Sequence, residues 1–299
     1  MNVKFNIISV ASVLSLFLLG SASDELLHQE TSGHTITIAS FNTLRLGRGA
    51  HKDLGKVATV LSAYDVIALQ EVMSEDTLRK VRDMLTRTTH VLWEYVISAR
   101  SLGRTTYKEY YAILFRTDRT MYTDTSSGIW DDEGDHFERE PFYATFKSGN
   151  FDYTIIVMHS DFDNNKKVMR KEARLLAKVF QRVAKRDSLE HDIILMGDFN
   201  LSADDEGWDS LKTIPTIVHL IPGRTQTTLS TSGGLSKAYD NIWIRNQFTN
   251  HEYADTANAD YYYHSMFSRS SNPGLEARKR VSDHVPVWAK FRVDQPDDD

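Results

Sequence analysis

Short apolar runs rich in β-branched and aromatic residues recur along the chain. Their alternation predicts strands over His34–Phe41, Asp65–Leu69, Trp93–Ala99, Tyr110–Phe115, Phe142–Lys147, Tyr153–His159, Asp192–Gly197, Tyr239–Ile244 and Val285–Val293. Segments of helical period lie between them. Leu54, Val57, Val60 and Leu61 share one face; Leu78, Val81 and Leu85 share another, which begins after Ser74 as a cap with Glu75 and Asp76 in the first turn. The strongest helical pattern runs from Asn165 to Ala184, with Val168, Leu175, Leu176, Val179, Phe180 and Val183 turned inward. Lys147-Ser148-Gly149-Asn150 has the chemistry of a hairpin turn. Many strands with few helices predict an α+β sandwich with its helices outside.

The amino-terminal segment breaks this pattern. Lys4 precedes an apolar run from Ile7 to Leu19, and Gly20-Ser21-Ala22-Ser23 follows, the layout of a secretory signal peptide over residues 1–23. The run is shorter than the roughly 20 apolar residues that span a bilayer. A polar stretch over residues 24–33, one domain over 34–294 and an acidic tail over 295–299 complete the expected organisation, with no linker or repeat between. The expectation is an exported protein, secreted or periplasmic, without stable membrane insertion and with no obligate protein partner. The absence of cysteine excludes disulfides, thiolate nucleophiles and cysteine-ligated metals. A net charge of -6 argues only weakly against a nucleic-acid partner, because a bound divalent cation reverses the local field where a phosphate sits.

Candidate chemistry collects at strand ends. Phe41-Asn42, Gln70-Glu71, His159-Ser160, Gly197-Asp198-Phe199-Asn200 and Ser282-Asp283-His284 finish or enter strand-like runs, and Tyr239-Asp240-Asn241 opens another. Taken singly, Asn42 or Asp198 fits an Asx-turn and His159 a satisfied core histidine; chance seldom ends so many strands of one sandwich in such residues. Phosphodiester hydrolysis needs this set. A hard cation such as Mg²⁺ takes oxygen ligands, here Asn42, Glu71, Asp198 and Asp283, with Ca²⁺ as an additional structural ion. Proton transfer falls to His159 and His284, for which Glu109 and Asp240 are the available orienting carboxylates.

The ordered set Ile38-Ala39-Ser40-Phe41-Asn42, Leu69-Gln70-Glu71-Val72, Met158-His159-Ser160, Met196-Gly197-Asp198-Phe199-Asn200 and Ser282-Asp283-His284-Val285-Pro286-Val287 resembles the endonuclease/exonuclease/phosphatase superfamily. That resemblance implies a four-layer α/β sandwich of two packed, mainly antiparallel sheets flanked by helices. Leu102 to Arg116 and Phe137-Glu138-Arg139-Glu140-Pro141 are similar to segments of deoxyribonuclease I enzymes. By this likeness Glu109 pairs with His159 and Asp240 with His284, Asp198 and Asn200 join the catalytic set, Tyr107 lies against the substrate sugar, and Arg139 contacts a phosphate. The implied activity is metal-dependent endonucleolytic hydrolysis of DNA.

The likeness has departures. Met73 stands where deoxyribonuclease I has a groove-reaching arginine, and Arg45 lies one residue off the register of another. Lys166, Lys167, Arg170, Lys171 and Arg174 form a basic helix face that fits either a solvated surface or a phosphate-tracking stripe. Arg278-Lys279-Arg280 lies nearer the proposed chemistry, so Arg278 and Arg280 are the better candidates for backbone contact. The rival expectation is a phosphatase or phospholipase on the same centre, of inositol-phosphate or sphingomyelin type, for which Tyr261-Tyr262-Tyr263 with Met266 and Phe267 is the only hint of an apolar insertion; the stretch reads rather as loop packing or a strand edge.

Overall fold

The computed structural model describes residues 34–49, 52–162, 166–186 and 191–296. The expected leader, the polar stretch as far as residue 33 and the acidic tail beyond residue 296 lie outside the described residues. Among those described, no helix is long and apolar enough to cross a membrane.

The first strands are β1 (Thr35–Leu46), β2 (Val66–Val72), β3 (Trp93–Ile97), β4 (Tyr110–Arg116), β5 (Met121–Ile129) and β6 (Phe142–Ser148). They are followed by β7 (Phe151–His159), β8 (Ile193–Asp198), β9 (Ile217–His219), β10 (Asp240–Arg245), β11 (Tyr253–Ala259) and β12 (Val287–Arg292). Two six-stranded sheets result, ordered β11-β12-β1-β2-β4-β3 and β5-β6-β7-β8-β10-β9. Alternation along the second sheet shows how its layers form. Ile155 and Val157, Ile194 and Met196, and Ile242 and Ile244 face the core shared with the first sheet. Their neighbours Ile156, Met158, Ile193, Leu195 and Trp243 face a separate apolar cluster beneath a helix.

That helix is α3 (Lys166–Val183), which follows α1 (Leu54–Leu61) and α2 (Glu75–Thr89) in the chain. In α3 the buried face is Met169, Glu172, Ala173, Leu176, Val179, Phe180 and Val183. The expected inward Val168 and Leu175 are only half-buried, so the face is rotated from the one the apolar pattern suggested, and it takes in a carboxylate. Helix α1 is capped by Asp53 and α2 by Ser74, whose hydroxyl accepts the Thr77 N–H. Both bury their apolar stripes in the core of the first sheet. The result is the expected α+β sandwich of two sheets flanked by helices.

Two glycines make local geometry possible. Gly149, at φ +59°, forms the expected β6–β7 hairpin turn. Gly197, at φ +153°, lets β8 lie against β7, because a Cβ there would sit 1.8 Å from the Met158 carbonyl oxygen.

Most pairings are antiparallel, but β1 runs parallel to β2 and β7 parallel to β8. In each parallel pair both carboxyl ends reach the same edge, where antiparallel neighbours begin. Hence Asn42 stands beside Gln70, His159 beside Asp198, and Asp240 across from Asp198. The topology therefore gathers residues distant in sequence along one edge of the sandwich.

Candidate active site

Asp198 is the hub, and it is almost fully buried. Its Oδ2 lies 3.6 Å from Nε2 of His159 and 3.4 Å from Nε2 of His284. Each imidazole is held from behind: His159 Nδ1 is 2.8 Å from Glu109 Oε1, and His284 Nδ1 is 2.8 Å from Asp240 Oδ2. Thr227 donates its hydroxyl to the same Asp240 oxygen at 2.6 Å. The Tyr111 hydroxyl accepts the His159 backbone N–H at 2.9 Å. The Asn200 N–H donates to Asp198 Oδ1 at 2.9 Å, and the Asn200 amide nitrogen to the Ser160 carbonyl at 2.9 Å. Both histidines, both backing carboxylates, Asp198 and Asn200 thus belong to one network.

The network sets the proton affinities. Burial disfavours the charged form of His159, but Glu109 and Asp198 outweigh it and leave the imidazole above its ordinary value. His284 is opposed by burial in the same way and is held well above the ordinary value by Asp240 and Asp198. Burial pushes Asp198 up, yet the two histidines, the Asn200 N–H and the Asn42 amide bring it below the ordinary carboxylate range. Asp240 is raised by burial and by Asp198, against the pull of His284.

Glu71 stands on the other side of Asn42. The Asn42 Nδ2 donates at 3.0 Å to Glu71 Oε1 and at 3.0 Å to Asp198 Oδ2, while its Oδ1 accepts the Leu44 N–H at 2.9 Å. The sequence makes Asn42 an oxygen ligand; its Oδ1 accepts one N–H and keeps a second lone pair, while its nitrogen bridges two carboxylates. Glu71 Oε2 accepts the Arg45 N–H at 3.1 Å and the Tyr107 hydroxyl. Glu71, Arg45 and Leu44 all have positive φ, the sparsely populated region that non-glycine residues enter only when their surroundings hold them there. Asp283 accepts from Arg278 Nη1 at 2.8 Å.

The carboxylates that could hold a metal are Glu71, Asp198 and Asp283, the chemistry of a hard divalent cation, with the Asn42 oxygen beside them. Asp198, Asp240 and His284 also have ligand atoms within 4.8 Å of one another. In that trio His284 Nδ1 and Asp240 Oδ2 bond to each other, which leaves His284 Nε2 and Asp240 Oδ1 as the atoms that could face a cation.

A cleft of about 650 Å³ opens over this centre, lined among others by Arg45, Glu71, Tyr107, Arg139, His159, Asp198, Asn200, Arg278, Asp283 and His284. Asn42, Glu109 and Asp240 lie behind its wall. Tyr107 packs under the Arg45 guanidinium, 5.4 Å from ring centre. Arg139 is buried, and its Nε and Nη2 donate to the carbonyls of His159 and Ser160 at 3.1 and 2.9 Å. Much of its role is therefore to fix the end of β7. Arg278 lines the cleft, tied to Asp283 and to the Leu229 carbonyl at 2.6 Å. Arg280 is not among the lining residues. It pairs with Asp53 at 2.7 Å and lies over the Phe267 ring, because residues two apart on the helix Pro273–Arg280 point in different directions.

The basic and aromatic stretches have structural partners of their own. Arg170 is bound by Asp205 at 2.7 Å and by Glu206, with Lys166 3.5 Å from Asp205, so part of the basic face of α3 is tied to its own fold. Tyr262, Tyr263 and Phe267 are buried, which makes the aromatic stretch packing rather than an exposed insertion.

Two functional groups escaped the sequence pattern. Burial pulls the Lys52 ammonium down to about 8, against the charges of Asp283 and Glu71; it donates to the Thr43 carbonyl at 2.6 Å and to that of Val281. No periodicity marks it. Glu172, buried on α3, accepts the N–H of Glu138 at 2.7 Å and of Asp161 at 2.8 Å. It thereby joins the loops that carry Arg139 and follow His159, and a charged residue among apolar helix positions was its one readable sign. Glu172→Ala strands two N–H groups and should destabilise the protein by roughly 2–4 kcal/mol. Glu172→Gln, which keeps one acceptor, should lose less, as thermal denaturation of both variants will show.

The chain matches the model of the Endonuclease/Exonuclease/phosphatase family over residues 39–284. It is 31% identical over 265 residues to a deoxyribonuclease of Thioalkalivibrio sp. (strain K90mix), covering 86% of this chain and 71% of the relative. Deoxyribonuclease-1 of Canis lupus familiaris is 31% identical over 269 residues, covering 84% of this chain and 90% of that one. Among solved structures, an endonuclease/exonuclease/phosphatase family protein from Bacteroides thetaiotaomicron superposes with a TM-score of 0.58 at 17% identity, covering 87% and 98% of the two chains. That last likeness is one of fold.

Proposed function

Because the chain belongs to the endonuclease/exonuclease/phosphatase family, we propose that it is an exported, divalent-metal-dependent endonuclease that hydrolyses the phosphodiester bonds of DNA. The observation that carries this reading is the approach of His159 Nε2 and His284 Nε2 to one oxygen of Asp198. Two imidazoles so placed, each backed by its own carboxylate, supply a proton acceptor for the attacking water and a donor for the departing oxygen. Similarity to deoxyribonucleases at 31% identity supports DNA as the substrate, and the leader-like residues 1–23 support export.

Glu71, Asp198 and Asp283 would hold Mg²⁺, which when bound neutralises phosphoryl charge and makes water a better nucleophile. The chain's own groups do the rest. Asn42 keeps Glu71 and Asp198 facing each other across one amide. Glu109 and Asp240 hold the Nδ1 side of the histidines so that both Nε2 atoms face the cleft. Asn200 fixes Asp198 and the end of β7, while Arg45, Arg278 and Tyr107 line the path of the sugar-phosphate chain. The domain over residues 34–294 carries all of these parts.

The direct test is a gel assay of the mature protein on duplex DNA, single-stranded DNA and RNA, with and without chelator. Chelator-sensitive cutting of DNA is expected; untouched DNA with hydrolysis of inositol phosphates or sphingomyelin would replace the nuclease reading with a phosphatase or phospholipase. Met73→Arg should raise duplex activity several-fold if groove contact limits the rate. Equal rates for the two proteins would place the loop after β2 away from the groove.

A further inference from the structure

Five large hydrophobic side chains are notably exposed among the described residues, and only one of them, Phe162, lines the catalytic cleft. Lone exposed apolar residues are ordinary on protein surfaces. This one differs in its mounting. Phe162 is 65% exposed, yet the two residues before it are clamped. The Ser160 N–H donates to the Asp198 carbonyl at 2.9 Å. The Ser160 carbonyl accepts from Arg139 and from Asn200, each at 2.9 Å. The Asp161 N–H donates to Glu172 at 2.8 Å. Phe162 therefore leaves a fixed backbone three positions after His159, in a cleft whose remaining lining is mostly polar or charged.

We propose that Phe162 is a stacking platform for an unpaired nucleobase beside the cleaved phosphate, and that it biases the cleft toward single-stranded DNA. The proposal rests on the nuclease reading above. An aromatic face held in water beside a phosphate site matches the flat face of a base, and every base offers one, so such stacking favours strands without selecting sequence. In a duplex those faces are already covered by neighbouring bases, and exposing one costs unstacking energy. The same ring therefore contributes most to a strand whose bases are free.

The test compares the natural protein with Phe162→Ala and Phe162→Trp on oligonucleotides of one sequence, single-stranded and duplex. Cleavage is followed with Mg²⁺, and binding of the labelled strands with chelator. Because the side chain is exposed, both variants should melt at the natural temperature. For Phe162→Ala the ratio of kcat/KM on single strands to that on duplex should fall about tenfold, mainly through KM, with a matching loss of single-strand binding; Phe162→Trp should restore both. An unchanged ratio, or equal losses on the two substrates, would overturn the platform. Phe162-dependent binding of single strands without any cutting would instead overturn the nuclease reading and leave the platform standing.

Discussion

Replacing His284 with glutamine is expected to lower kcat for DNA nicking by about 10³-fold, within the range of a lost proton-transfer group, while the far-ultraviolet circular dichroism stays that of the natural protein. His159→Gln should behave likewise, since both imidazoles reach the same Asp198 oxygen. Alanine is the less informative replacement. Asp240 is buried behind His284, and removing its partner costs about 3–5 kcal/mol in such pairs, so lost activity would mix with lost fold. Stability carries its own sign. The folded-state proton affinity of His284 is raised, so its stabilisation is complete below about pH 6.5, the value for a free histidine, and fades as the pH rises through the folded value. The difference in melting temperature between natural protein and His284→Gln should therefore be largest in mild acid and shrink toward alkaline pH. A kcat within threefold of the natural value would remove His284 from the proton-transfer pair.

His159 and Asp198 were legible because they end strands whose apolar alternation is strong, whereas His284 lies three residues before β12 and was marked by the Ser282-Asp283-His284 motif. Ile155, Val157, Ile194 and Met196 pack one face and Ile156, Met158, Ile193 and Leu195 the other, so β7 and β8 are marked along their whole length. Strands held mainly by backbone pairing left no such trace. Tyr253–Ala259 is an edge strand paired only with β12, and most of its side chains are exposed or half-buried; β5 and β9 also lie at edges or carry polar residues. The helix Pro273–Arg280 had a readable start in its Asn272 cap and first-turn proline, but it buries only Gly274 and Ala277 and so has no apolar stripe. Within the site, residue types disclosed function better than geometry. The turn after Asn42 places Leu44 and Arg45 at positive φ, a conformation their identities do not favour. It is this turn that brings the Leu44 N–H to the Asn42 oxygen and aims the nitrogen at Glu71.

Glu71→Gln tests the second half of the centre, the cation. The substitution is nearly isosteric: an amide oxygen at Oε1 still accepts from Asn42, and Tyr107 and Arg45 keep a neighbour of the same shape. What disappears is one negative charge at the cleft wall, together with the acceptor that Oε2 offers to the Arg45 N–H and the Tyr107 hydroxyl. The Mg²⁺ concentration for half-maximal nicking should rise by about 10- to 100-fold, the range by which even supporting groups alter metal affinity, and added metal should recover part of the rate. Calorimetric titration of Mg²⁺ into the protein without DNA should show the same weakening, which separates lost metal from lost substrate contact. Lys52 gives an internal check. Its ammonium is held near a pKa of about 8 against burial with help from Asp283 and Glu71, so loss of the Glu71 charge should pull it lower still. If the metal requirement and the calorimetric affinity both stay at their natural values, Glu71 is no ligand. Its carboxylate then serves to hold Tyr107 and the Arg45 backbone, and the cation must be sought at Asp198 and Asp283.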